Sequence, residues 1–313
     1  MLRIVFMGTP EFAVPALKIV HENYEIVGVF TQPDRPVGRG LELRASPVKM
    51  KALEFGLPIF QPAKLSQAEE FERLRALSPD VIVVVAYGQI LRKNVIDLPR
   101  FGCVNIHSSL LPRWRGAAPI QWAILAGDQE TGISTMRIVE KLDAGPILLQ
   151  KRTPITETET AQTLHDRLSE MGAELLIPTL QGICSGTLAS QEQDESHVTY
   201  ATKLEKDMEL LDLNEPAVIL DRRIRALTPW PGTSVKIHQR LKIKQVKVHE
   251  NIQGPKGMIF ERAGMVLLGT AQGSLELLSV QWEGKKEIRP AEFLNGLKGR
   301  GWSLPLQIEF PLL

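Results

Sequence analysis

Asp80-Val81-Ile82-Val83-Val84-Val85-Ala86 is an apolar run with no polar alternation. A strand wetted on one face alternates, whereas a strand buried on both faces reads as continuous Val and Ile; such strands belong to parallel sheets covered by helices. Working outward, short apolar runs recur at 3–7, 26–30, 102–106 and 133–139, with 146–155 as the hairpin partner of the last. Amphipathic helical patterns occupy 10–22, 46–55, 66–77, 117–126 and 160–177. In the last of these, Leu164, Leu168, Met171 and Leu175 keep helical spacing behind Thr160, a candidate N-cap, and Pro178 is expected to interrupt whatever follows. The fold class is α/β: an open, mostly parallel, Rossmann-like sheet, whose ligands sit beyond the carboxyl ends of the strands.

The remaining composition narrows the class. With 313 residues the chain is long for one core and comfortable for two domains. It is 43% hydrophobic and 23% charged, which excludes general disorder, and no apolar run approaches the ~18 residues of a membrane helix. Two cysteines, Cys103 and Cys184, make neither a disulfide framework nor a zinc site; both sit in apolar stretches and are expected to be buried thiols of a reducing compartment. The run at 2–6 already reads as a strand, so no leader peptide is expected and the protein is placed in the cytoplasm. From Leu210 onward Lys and Arg outnumber Asp and Glu 15 to 10, while the residues before it hold 22 basic against 26 acidic. That split suits a C-terminal part facing an anion, and chance variation on a solvated surface would look the same.

Met7-Gly8-Thr9-Pro10 makes the first strand-to-helix turn with one glycine, so the dinucleotide fingerprint is missing, as is a Walker lysine. The chemistry gathers between Asn105 and Gly145. Asn105 and His107 stand two apart on a strand and share a face. An Asn amide can hold a developing oxyanion, and a histidine can move a proton near neutral pH. Asp143, in Lys141-Leu142-Asp143-Ala144-Gly145, is read as the end of an adjacent strand that can approach the histidine. Ser108 and Ser109 lie in no GxSxG elbow, and no HExxH or carboxylate cluster marks a metal. An acid/base with an oxyanion donor and no nucleophile suits direct transfer between two bound substrates.

The stretch from Asn105 to Ile124, NIHSSLLPRWRGAAPIQWAI, followed by the Asp143 segment, resembles the folate-dependent formyltransferase family. The resemblance implies transfer of a formyl group from 10-formyltetrahydrofolate to an amine, with no metal, by Asn105, His107 and Asp143. It also implies a folate site lined by Ser109, Leu110, Leu111 and Pro112, with Ala86, Tyr87, Gly88, Gln89 and Ile90 in the loop that holds the pteridine through backbone groups. The loop from Thr31 to Gly40, continuing to Ser46-Pro47-Val48-Lys49, resembles the one with which tRNA-modifying members enter the acceptor stem. The partners implied are therefore methionyl-initiator tRNA and the folate, with no membrane, and the chain is expected to act as a monomer. Arg35, Arg39 and Arg44 supply guanidiniums able to pair with phosphate or stack on bases. Leu41-Glu42 stands where many loops of the family carry lysines, which makes Arg39 the principal expected contact.

The expected organisation is a catalytic domain over 1–189, a linker over 190–208 and a second domain over 209–313. Residues 186–209 lack apolar periodicity, and Tyr200-Ala201-Thr202-Lys203-Leu204 resembles the entry to the family's C-terminal domain. Beyond it a helix is expected over 215–226, then strands at 233–238, 241–249, 257–262, 265–270 and 274–282, a pattern for which the resemblance implies a small OB-like β-barrel. Apolar positions slip phase near Gln245, the mark of a β-bulge, and Lys242, Lys244 and Lys247 alternate outward as candidate phosphate contacts. An ordinary solvated strand face would look alike. A formyl-group enzyme acting on a small molecule and an RNA-binding module with an inactive α/β domain stand as the other readings.

Overall fold

A computed structural model describes residues 2–37 and 42–309. Arg39 and Leu41 of the arginine loop lie outside the described residues. By contact density the chain forms two compact units, the first comprising Met1–Pro119, Glu130–Pro154 and His165–Ala201 and the second Ile120–Gln129, Ile155–Leu164 and Thr202–Leu313.

In chain order up to residue 201 the elements are β1 (Arg3–Gly8), α1 (Val14–Asn23), β2 (Glu25–Phe30), β3 (Arg35–Val37), β4 (Glu42–Arg44), α2 (Pro47–Glu54), β5 (Ile59–Phe60), α3 (Ala68–Ala76), β6 (Val81–Val85), α4 (Lys93–Ile96), β7 (Cys103–His107), β8 (Arg115–Gly116), α5 (Pro119–Ala126), β9 (Glu130–Arg137), β10 (Ile147–Pro154), α6 (Ala161–Ser185) and β11 (Tyr200–Ala201). The main sheet has the order β10-β9-β7-β6-β1-β2-β5. β5, β2, β1, β6 and β7 run parallel; β9 is antiparallel to β7 and β10 to β9. The chain steps from β1 to β2 on one side and returns to β6 on the other, so the topological switch point lies between β1 and β6, where open α/β sheets bind ligands.

The unalternating run behaves as its composition demands: all five residues of β6 are buried. On one side of the sheet Val5, Met7, Ile82, Val84 and Cys103 pack with Leu65, Leu74, Leu91 and Val95. Ile4, Phe6, Val83, Val85 and Val104 are sealed equally well. Each such side chain contributes ~1.5–3 kcal/mol by leaving water.

Two expectations need correction. Pro178 does not interrupt α6, which runs on to Ser185. A proline inside a helix costs roughly 3 kcal/mol, and here the turn around it is held by buried Leu176, Leu180 and Ile183 and by Thr179, whose hydroxyl meets that of Thr135 at 2.9 Å. Thr160 does cap this helix, its hydroxyl accepting from the Thr163 amide. Of the two cysteines only Cys103 is buried, and burial pushes its thiol pKa up to about 12. Cys184 is exposed, one residue before the end of α6 at Ser185.

The second unit is built on α7 (Ala217–Ala226), β12 (Thr233–Ile237), β13 (Gln239–His249), β14 (Met258–Arg262), β15 (Met265–Gly269), β16 (Ser274–Trp282), β17 (Glu287–Ile288), α8 (Pro290–Lys298) and β18 (Leu306–Gln307). Its sheet is antiparallel throughout, in the order β12-β13-β16-β15-β14-β18. The two ends meet: just past β18, the Glu309 amide donates to the Lys236 carbonyl of β12 at 2.8 Å, closing a barrel. The expected bulge is present, since the β13–β16 register shifts on both sides of Gln245. Leu220 and Ile224 of α7 and Phe293 and Leu297 of α8 belong to the barrel's apolar core.

Candidate active site

β7 presents Asn105 and His107 on one face at the side of the switch point, with Val84 of β6 in register beside Asn105. His107 is buried, and its two ring nitrogens meet different groups. Nε2 stands 2.9 Å from the Trp114 carbonyl oxygen, which can only accept, so this nitrogen carries a hydrogen. Nδ1 faces Asp143 Oδ2 at 3.7 Å, beyond a direct hydrogen bond. Among the described residues the Asn105 carboxamide has no hydrogen-bond partner in the protein, and its side chain is only half-buried.

Asp143 reaches the histidine by a route different from the one expected. β9 is antiparallel to β7 and ends with Arg137 opposite Val104, so it finishes beside the first half of β7 rather than at its carboxyl end. The loop after β9 carries Asp143 back to His107. Asp143 sits there at φ +48°, the left-handed region that Asp tolerates better than most residues. Its Oδ2 accepts from the Gly116 amide at 2.9 Å. Gly116 itself has φ +121°, and a Cβ there would lie 2.5 Å from the Ala201 carbonyl oxygen, so only glycine lets β8 lie against β11.

The segment expected to be a linker forms part of this construction. The Gln193 amide Nε2 donates to the Asp143 carbonyl at 2.8 Å and to the Gly145 carbonyl at 2.7 Å, while its Oε1 accepts from Arg115 Nε at 3.0 Å. The Arg115 side chain is 0% exposed, pairs with Glu195 at 2.9 Å, and its Nη1 has no partner among the described residues. Glu195 also pairs with Lys141 at 2.8 Å, and the two cations, Arg115 first, hold its carboxyl below the ordinary value. Gln191 exchanges two backbone hydrogen bonds with Ile147, and Thr199 receives the Trp114 amide on its hydroxyl and the Arg115 amide on its carbonyl. Sequence reasoning missed Arg115, Gln193, Glu195 and Thr199. Arginine ahead of a strand-turn glycine and isolated polar residues in a polar stretch carry no periodic signal.

The other candidate residues are distributed as follows. Ser109 is buried, its hydroxyl donating to the Arg113 carbonyl and its carbonyl accepting from Ser134. Leu111 packs with Met136 and Ile147 rather than lining an open surface. A cleft of 330 Å³ at the switch point is lined by Thr9, Pro10, Gln32, Arg35, Arg44, Ala86, Tyr87 and Gly88, among others. Its backbone is shaped by Ala86 at φ +48° and Gly88 at φ +85°, and Thr9 Oγ1 and Gln32 Nε2 both bond the Tyr87 carbonyl. The Tyr87 ring points into the core, where burial raises its phenol pKa. Gln89 is spent on structure, bridging the Leu65 amide and the Pro62 carbonyl, and Ile90 is 86% exposed. Arg35 and Arg44 face each other across the β3–β4 hairpin. In the second unit Lys242 and Lys244 are half-buried and Lys247 is exposed along β13.

Such a site, with an amide, an imidazole and a carboxylate at the strand ends of an open α/β sheet, suits a group-transfer protein. The family model described as formyl transferase matches residues 2–180, and that of the formyl transferase C-terminal domain matches residues 203–298. The methionyl-tRNA formyltransferase of Methylococcus capsulatus is 50% identical over 297 residues, covering 94% of this chain and 96% of the relative. That of Halorhodospira halophila is 50% identical over 304 residues, with the same coverage. The chain belongs to the formyl transferase family, and within it to the methionyl-tRNA formyltransferases.

Solved structures share the fold at low identity. WlaRD, a sugar 3N-formyl transferase determined with dTDP and 5-N-formyl-THF, aligns with a TM-score of 0.68 at 19% identity, covering 91% of this chain and 99% of that one. HypX from Aquifex aeolicus, in complex with tetrahydrofolic acid, aligns with a TM-score of 0.62 at 17% identity, covering 99% of this chain and 51% of that one. Among the described residues no helix is long and apolar enough to cross a membrane.

Proposed function

We propose that this protein transfers the formyl group of 10-formyltetrahydrofolate to the free amino group of methionyl-initiator tRNA, in the cytoplasm. The observation that carries the reading is the pairing of His107 Nδ1 with Asp143 beside an unpartnered Asn105 amide, at a strand end next to the switch-point cleft. The cleft has the size and the mixed apolar and polar lining of a small-molecule site, and one of its walls is the Ala86–Gly88 backbone, bent to positive φ at both of those residues.

The chemistry follows from these groups. The methionyl amine attacks the formyl carbon, forming the new C–N bond, while negative charge develops on the formyl oxygen. Asn105 supplies an amide N–H for that oxygen. The Trp114 carbonyl keeps a hydrogen on Nε2 of His107, so Nδ1 is the basic nitrogen, and it takes the proton of the attacking amine. Asp143, fixed by the Gly116 amide, holds the resulting imidazolium by its charge. The proton then passes to the nitrogen of the donor as its bond to the formyl carbon breaks, leaving tetrahydrofolate and the formylated aminoacyl-tRNA.

Arg35 and Arg44 support the acceptor reading. Like charges directly opposite on a hairpin destabilise it unless an anion lies between or over them. Arg39 joins them in the proposal, as do Lys242, Lys244 and Lys247 on β13 for the body of the tRNA. The test is formyl transfer to methionyl-initiator tRNA, with uncharged tRNA and free methionine as controls. Transfer to the charged tRNA alone is expected; equal transfer to free methionine, or release of formate without transfer, overturns the acceptor. His107→Ala is expected to lower turnover by at least ~10²-fold with tRNA binding retained.

A further inference from the structure

We propose that Gln193 is a positioning residue for Asp143, and that residues 191–201 form the rear wall of the active site rather than a passive connection. This rests on the reading of Asp143 above. Gln193 and its neighbours lie between the two family-model matches, which end at 180 and resume at 203.

Asp143 adopts a left-handed backbone conformation, uncommon outside glycine though tolerated by Asp. Gln193 fixes that conformation from behind. One amide nitrogen bonds the carbonyls of Asp143 and Gly145 together, which holds the peptide planes that follow Asp143 and Gly145 and so constrains the direction in which the Asp143 side chain leaves the loop. Gln193 is itself 9% exposed, and its rotamer is locked by Arg115. Arg115 precedes Gly116, whose amide binds the Asp143 carboxylate. The carboxylate is thus gripped from the front by residue 116 and its loop from the rear by residue 193, and Arg115 ties the two grips together. Glu195 repeats the link through Lys141.

The test is Gln193→Glu, which keeps the size and the Arg115 contact but turns the donor facing two carbonyls into an acceptor. The kcat for formyl transfer is expected to fall roughly 10- to 100-fold, the scale of an ångström misplacement, with KM for both substrates within about twofold. In combination with Asp143→Asn it is expected to add nothing to the loss that Asp143→Asn causes alone. Should Gln193→Glu not fold, Gln193→Met, which deletes the donor without adding charge, is read in the same way. Unchanged kcat, or losses that multiply in the double variant, overturns the role. If the wild type transfers no formyl group, the functional reading fails by itself. The positioning role is then read from the ring-nitrogen NMR resonances of His107: a displacement in Gln193→Glu matching that in Asp143→Asn supports it, and unmoved resonances overturn it.

Discussion

His107 is set by two neighbours of different kinds. A carbonyl oxygen fixes the hydrogen on one ring nitrogen and a carboxylate waits 3.7 Å from the other, so the ring is held ready to gain a proton on one side only. Asp143→Asn keeps the hydrogen bond from Gly116 in shape but removes the charge facing Nδ1. It is expected to lower kcat and kcat/KM together, the signature of a contact made in the transition state, which steady-state kinetics with both substrates varied would check. Asn105 and His107 were legible in the sequence because a strand's period of two puts them on one face. That Asp143 approaches His107 was legible, its route was not: nothing in the residues says that the strand before it runs antiparallel. The supports of Asp143 were illegible for a different reason, since Gln193 acts through two hydrogen bonds across about fifty residues of chain, and pairwise contacts at that distance leave no pattern in a single sequence.

Among the elements, α6 and the barrel show which local signals are overridden. Pro178 lies on the exposed side of a continuous helix, where its missing amide leaves one backbone carbonyl without its helical partner. Pro178→Ala is therefore expected to stabilise the protein, by up to about 3 kcal/mol, as read from denaturant melts. Strands β12 to β16 of the barrel were legible to within two residues because turns bound each of them, whereas the two-residue β17 and β18 were not expected. Helix α8 was not expected: its Phe293 and Leu297 are four apart and could equally sit on a strand face. Two kinds of change separate what holds the barrel together. Glu309→Gln removes an ion pair to Lys236 whose members are 40% and 62% exposed, and is expected to cost little, since water screens the pair. Phe293→Ala empties a fully buried site and is expected to cost ~3–5 kcal/mol. Comparable losses in the two melts would contradict the assignment of the core.

For the molecule as a whole, charge sets the response to pH and salt. Asp34, Asp194, Glu195 and Glu309 all have folded-state pKa values below the ordinary carboxylate range, from hydrogen bonds with Lys49, Ser196, Arg115 and Lys236 respectively. A depressed value means that the unfolded chain takes up protons first as pH falls. Their stabilising contribution is therefore complete above the free-carboxylate range of about 4 and drains away below it. Thermal melts are expected to give a flat midpoint from pH 7 to about 5 and a fall beneath that. Salt acts on the partner: the KM for the tRNA substrate is expected to rise steeply with ionic strength, and Lys247→Ala to reduce the log–log slope by about one. A slope unchanged by that substitution would remove Lys247 from the interface.

The wall formed by residues 191–201 also bears on how such a chain can be recombined. A junction at the end of the first family match would join one parent's Asp143 loop to another parent's Gln193, Glu195 and Thr199, whereas those residues are matched to the loop, to Arg115 and to Trp114. A junction after Ala201 passes the whole set on from one parent. Chimaeras of two relatives cut at these two points differ only in some twenty residues, and the later cut is the one expected to inherit a working catalytic centre.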